Sequence, residues 1–146
     1  MEIVNDIFEN LNIVCPILNN GYHNICHGDF HPENILFDTA KNLIICDWQN
    51  VKIGKGISDI SFFIERAIGF GINVNADKLI NYYCTCLSKY TDRVIENDIL
   101  LKEKSAAALL TIFSFWAYYL KESEKERIFP FYNEMVNSFR FLQYSK

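Results

Sequence analysis

The apolar positions Ile3, Val4, Ile7, Phe8 and Leu11 recur at helical spacing, and Pro16 with Asn19-Asn20-Gly21 predicts where this first helix stops. The pattern then changes. Two short apolar runs, Ile35-Leu36-Phe37 and Leu43-Ile44-Ile45-Cys46, flank the turn-prone Asp38-Thr39-Ala40-Lys41-Asn42 and predict a β-hairpin. Beyond a loop holding Gly54 and Gly56, Ser58 reads as the N-cap of a helix with Ile60, Phe63, Ile64, Ala67 and Ile68 inward. Asn75 caps another helix, with Leu79, Ile80, Tyr83 and Leu87 on its face. A long helix follows from about Asp98 to Leu120, in which Phe113, Phe115, Trp116, Tyr118 and Tyr119 read as packing residues. The last helix begins near Pro130 and turns Tyr132, Met135, Val136, Phe139 and Leu142 inward. No repeat, low-complexity tract or linker interrupts the series. Residues 1–146 therefore read as a single α+β domain, mostly α-helical, with a short hairpin docked on about five helices.

Composition narrows the class. At 146 residues and 50% hydrophobic, the chain can close a core without a disulfide or metal staple. The net charge is −4, and it is unevenly spread: Glu2, Asp6, Glu9, Asp29, Glu33 and Asp38 precede the first cation, Lys41. A broad nucleic-acid surface is excluded, because phosphate neutralisation needs clustered Lys and Arg. Five cysteines, an odd number behind an acidic N-terminus with no apolar leader, read as reduced thiols of a cytoplasmic protein. The longest apolar stretch, Ser105 to Leu120, has 16 residues and falls short of the ~20 that span a bilayer. It reads as a buried helix, and no membrane partner is expected.

The polar residues gather around the hairpin, in His27-Gly28-Asp29-Phe30-His31-Pro32-Glu33-Asn34 and at Asp47 after the second strand. With the turn centred between Ala40 and Lys41, Asn34 and Asp47 each lie six residues from it, so an unbulged hairpin would set them opposite each other. Opposed residues have Cα atoms roughly 4.5 to 5.5 Å apart. An amide oxygen and a carboxylate at that spacing can share a hard cation such as Mg²⁺. Asp29 stands five residues upstream of Asn34, where it can face a substrate hydroxyl beside the metal. Taken singly, these residues also read as turn formers, a strand terminator and, for Asp59, a helix first-turn acid. A zinc site built from Cys26, His27, His31 and Cys46 is disfavoured, since Gly28 and Pro32 keep the two histidines off a helix.

HGDFHPENILFD followed by IICDWQ resembles the catalytic loop and metal-binding segment of the aminoglycoside phosphotransferase and choline kinase-like family. The Asp-Trp-Gln ending is most similar to the ecdysteroid kinase-like branch, and GISDISFFI stands where that family has a loop leading into a helix. The distinctive spacing is Asp, four residues, Asn, twelve residues, Asp. The resemblance implies a protein kinase-like C-terminal lobe that carries the catalytic loop and metal site on its hairpin. It makes Asp29 the catalytic residue that orients the acceptor hydroxyl and accepts its proton. Asn34 and Asp47 become the Mg²⁺ ligands, and through the metal the contacts to ATP. His27 and Asp59 become structural supports of the loop. His31 reads equally as a residue near the transferred phosphate or as a hydrogen-bonded loop histidine, and stands outside the catalytic set.

The family's N-terminal lobe, with its strand-borne lysine gripping the α- and β-phosphates, has no counterpart here, since no lysine precedes His27. A separate chain or missing segment is expected to supply it. The function implied is ATP-dependent phosphotransfer to a hydroxyl of a small molecule, with a cationic acceptor favoured by the acidic first quarter. Two alternatives differ in class. One is a non-catalytic kinase-like remnant that binds metal or a partner protein. The other is a protein kinase lobe, against which stand Gly28 in place of arginine, Trp48-Gln49 in place of Phe-Gly, and the lack of an Ala-Pro-Glu segment.

Overall fold

The computed structural model describes residues 2–145, and their contacts divide into two compact units: Tyr22–Asn97, and the described residues on either side of that segment. The architecture is mostly helical with two small antiparallel sheets, consistent with an α+β class.

Within Tyr22–Asn97, strand β1 (Asn24–Cys26) pairs with β4 (Lys52–Gly54), and β2 (Ile35–Phe37) with β3 (Leu43–Ile45). The β2–β3 hairpin occupies the two predicted apolar runs, but its register corrects the symmetric expectation. Ile35 opposes Ile45 and Phe37 opposes Leu43, which centres the turn on Ala40. The cause lies in the loop. Lys41 N–H donates to the Asp38 carbonyl at 3.0 Å, Asp38 N–H donates to the Asn42 carbonyl at 3.0 Å, and Lys41 takes φ 65°. A turn closed by a left-handed bulge residue makes a three-residue loop, which shifts the pairing relative to an even-numbered one. Asn42 donates to the Asp38 carboxylate from its side chain and its backbone, holding that carboxyl below the usual carboxylate range.

The β1–β4 pair has no counterpart in the periodicity. Each strand has three residues, and its one large apolar side chain, Ile25 or Ile53, is exposed. The pairing matters because β4 ends one residue before the N-cap of helix α3 (Gly56–Gly69). Its N-cap is Lys55, three residues earlier than Ser58, with no side-chain cap hydrogen bond. A Cβ at Gly56 would press on the Tyr83 hydroxyl, which accepts a hydrogen bond from Asn24 Nδ2 at 2.9 Å. Its buried residues are Ile57, Ser61, Ile64 and Ala67; Ile60 and Phe63 are half-buried and Ile68 is exposed, so the inward face is rotated from the predicted one. Helix α4 (Ala76–Thr91) is capped as expected, with Asn75 Oδ1 accepting from Lys78 N–H at 2.8 Å and Ile80 buried.

In the other unit, α1 (Glu2–Glu9) is followed by a helical turn and by α2 (Val14–Asn19). Pro16 does not end the segment. It sits in the first turn of α2, where the missing N–H has no intrahelical partner to lose, and the chain turns at Gly21 with φ 80°. Helix α5 (Asn97–Thr111) buries Ser105 through Leu109, widens into a π turn at Ile112–Trp116, and continues as α6 (Ala117–Lys121). Trp116 is buried against Phe131, with ring centroids 5.1 Å apart, but Phe115 and Tyr118 are exposed rather than packed. The side chain of Tyr119 lies outside the described residues. Helix α7 (Lys125–Tyr144) begins a turn before Pro130, burying Met135, Val136 and Phe139 while Tyr132 is exposed. Among the described residues, no helix is long and apolar enough to cross a membrane.

All five cysteines are free. Burial pushes the Cys26 thiol from 9.0 up to about 11, and the nearby Asp59 carboxylate adds to the rise. The folded thiol thus keeps its proton where the unfolded one ionises. Its contribution to stability is complete below about pH 9 and is lost as pH climbs towards 11. Cys26 is expected to be the slowest thiol towards an alkylating reagent near neutrality and exposed Cys15 the fastest. Equal rates by peptide mapping would contradict that ordering.

Candidate active site

The loop from His27 to Phe30 follows β1 and is fastened from below by α3. The Asp59 carboxylate, in the first turn of that helix, accepts from His27 N–H at 2.6 Å and Gly28 N–H at 3.0 Å. Two successive amides can face one carboxylate only if the backbone folds tightly. Gly28 does so at φ +83°, with the Asn50 carbonyl so close that any Cβ would collide with it. The β1–β4 pairing brings these partners together: β4 runs antiparallel to β1 and ends opposite Asn24, so α3 starts beside the start of β1 and its first turn carries Asp59 back to His27 and Gly28.

The His27 ring is buried and joins two chemistry-bearing segments. Its Nε2 donates to the Cys46 carbonyl at 2.8 Å, and its Nδ1 accepts from Asp29 N–H at 3.3 Å. These partners assign the Nε2–H tautomer, because a backbone N–H cannot donate to a protonated nitrogen. The ring also lies 4.6 Å from that of Trp48, and Phe30 continues the apolar support at 5.4 Å from Phe63.

Asn34 is buried, and its Nδ2 donates to the Asp29 carbonyl at 2.9 Å. Its own carbonyl accepts from Cys46 N–H at 3.0 Å. The bulged register therefore sets Asn34 level with Cys46, one residue short of Asp47, instead of directly opposite Asp47. Asp47 itself is left-handed, φ 64° and ψ 57°, which turns the chain at the end of β3. Aspartate tolerates that region better than most residues. The result is a closed frame. Asp29 is tied to Asn34 by the amide, Asn34 to the Asp47 segment through Cys46, and that segment back to Asp29 through His27.

The frame leaves oxygen atoms unspent. Asn34 Oδ1 and the Asp47 carboxylate accept no hydrogen bond among the described residues, and Asp47 is exposed. A ring nitrogen, His31 Nε2, lies 3.7 Å from the Asp29 carboxylate. An amide oxygen and a carboxylate oxygen are the donor types that a hard divalent cation takes. Among the described residues no three His, Cys, Asp or Glu side chains converge on a metal position, and both rings proposed for zinc carry protein contacts.

Of the two readings of His31, the contact with Asn34 fits the hydrogen-bonded loop histidine; what the sequence pattern did not show is the link it makes. Asn34 Nδ2 lies 3.1 Å from His31 Nε2, His31 Nδ1 lies 3.6 Å from Glu33, and Glu33 accepts from Arg66 of α3 at 3.0 Å. The only sequence signal was the position of His31, two residues after Asp29 and three before Asn34.

A helix-supported loop thus carries Asp29 beside a hairpin that is flanked by Asn34 and Asp47. The model of the ecdysteroid kinase-like family matches residues 1–95, and the chain belongs to that family, within the protein kinase-like superfamily. No curated protein and no solved structure matches the chain.

Proposed function

We propose that this chain is the kinase-like C-terminal lobe of a small-molecule phosphotransferase that moves the γ-phosphoryl group of ATP to a hydroxyl. The observation that carries this is the closed frame holding Asp29, Asn34 and Asp47 with their oxygens free, in a member of a kinase-like family. Asp29 is the group that orients the acceptor hydroxyl and takes its proton. Asn34 Oδ1 and the Asp47 carboxylate would hold Mg²⁺, which supplies neutralisation of phosphate charge when bound. His27 and Asp59 keep the loop in register, so that the hydroxyl meets the phosphorus in line. That task needs placement more than covalent chemistry by the protein.

Within these 146 residues no lysine or arginine precedes Lys41, so the cationic grip on the α- and β-phosphates would come from a separate segment or chain. Free cysteines suit a reducing compartment, which agrees with a cytoplasmic enzyme. For the acceptor, the site segment offers Asp29 and Asp47, while Glu33 and Arg66 are paired with each other and Lys55 is buried. A hydroxyl compound carrying an amine or quaternary ammonium is therefore favoured. The test is radiolabelled transfer from Mg-ATP to a panel of amino, neutral and carboxylate alcohols, with the N-terminal lobe of a family member joined to the chain. Cationic acceptors are expected to show the highest kcat/KM. Consistent preference for anionic acceptors would overturn the substrate assignment, and no transfer to any acceptor class would overturn the enzyme reading.

A further inference from the structure

We propose that His31 is a positioning residue that sets which atom of the Asn34 carboxamide faces the metal side. The inference rests on the metal-binding reading of Asn34 given above. A carboxamide can be turned either way, and only one orientation presents oxygen. In Asn34 a single atom, Nδ2, meets both the Asp29 carbonyl at 2.9 Å and His31 Nε2 at 3.1 Å. The carbonyl accepts only, so the atom facing it must be the nitrogen. Both amide hydrogens then have acceptors, provided that His31 Nε2 carries no proton.

That condition assigns the tautomer. The proton of neutral His31 must be on Nδ1, which is buried and makes no hydrogen bond among the described residues. Its nearest acid is Glu33, at 3.6 Å, and the Arg66 guanidinium holds Glu33 there. The Asp29 carboxylate lies at a similar 3.7 Å from Nε2, so the hydrogen-bond geometry at Asn34, and not the field of either acid, decides which nitrogen carries the proton. The two histidines of the loop are thus opposite tautomers: His27 carries its proton on Nε2, and His31 on Nδ1. The edge of His31 also packs on Phe62, 6.3 Å between centroids, which limits rotation of the ring. At 3.7 Å from Asp29, Nε2 is too far away to consume its carboxylate. Helix α3 consequently makes polar links to the loop at Asp59 directly and at Arg66 through Glu33 and His31, beside the ring packing of Phe62 and Phe63. The Arg66–Glu33 pair is partly solvated, so its role is orientation more than stability.

The first test needs no metal. Ring ¹⁵N spectra of the chain at about pH 8, above the ordinary histidine pKa, should show Nδ1–H for His31 and Nε2–H for His27. Finding Nε2–H on His31 overturns the proposal. The second test compares His31→Leu, which removes the acceptor, with His31→Gln, whose amide oxygen can replace Nε2. His31→Leu should shift the Asn34 side-chain amide signals and weaken Mn²⁺ binding about tenfold, the size expected for a residue that orients a ligand. His31→Gln should restore both. Equal damage in the two variants, or an unchanged Asn34 amide in His31→Leu, refutes the role. A wild-type chain that binds no Mn²⁺, yet keeps the Asn34 amide tied to a Nδ1–H His31, counts against the phosphotransferase reading and leaves this orientation standing.

Discussion

Asp29→Asn removes phosphoryl transfer while leaving the fold intact. In the chain joined to an N-terminal lobe, kcat should fall by about two to four orders of magnitude, the range for loss of a positioned general base. KM for the acceptor should change little. The split follows from the structure, because the Asp29 side chain takes part in none of the hydrogen bonds that build the loop. Those bonds use its backbone N–H to His27 and its carbonyl to Asn34, both of which asparagine keeps. Thermal unfolding should move by less than about 1 kcal/mol, as for surface changes away from structural contacts. Steady-state kinetics with a melting curve checks both halves. Unimpaired turnover would remove Asp29 from the reaction.

Asp59→Ala has the opposite signature, a large structural cost followed by loss of the site. Its carboxylate accepts from His27 and Gly28 N–H, and hydrogen bonds to a charged group are worth about 1.5–3 kcal/mol each. Losing both should cost about 3–6 kcal/mol, a large part of the ~5–15 kcal/mol that holds a domain together. Asp59→Asn keeps one oxygen acceptor and should lose about half as much. Urea titration followed by far-UV circular dichroism measures this directly. A change below about 1 kcal/mol in the alanine variant would mean that the loop is held by other contacts.

What the sequence made legible was what is local. The hairpin runs and the Asn75 cap each depend on residues within a short stretch, and both are found in the structure, whereas the expected opposition of Asn34 and Asp47 is not. Features that depend on distant partners were not readable. β1 and β4 are three residues each with exposed isoleucines, so neither alternates visibly, and only their pairing explains why Asp59 reaches Gly28. The hairpin register turned on one backbone angle at Lys41, a residue with no special preference for the left-handed region, where glycine would have given warning. Pro16 and Pro130 misled in different ways. Pro16 stands in a first turn, where proline removes no intrahelical bond, whereas Pro130 lies inside α7 and the helix runs through it at the loss of one bond to the preceding turn. The support of Asn34 by His31 belonged to the same hidden class, since it ends on Arg66, 33 residues from Glu33.

The central claim is that Asn34 and Asp47 hold a divalent cation next to Asp29, and paramagnetic broadening of the backbone amide spectrum by Mn²⁺ tests it most directly. Broadening should centre on Asn34 and Asp47, extend to His27 and Asp29, and vanish in both Asp47→Ala and Asn34→Ala. Broadening centred on other acids, or equal in the wild type and the two variants, would contradict the claim.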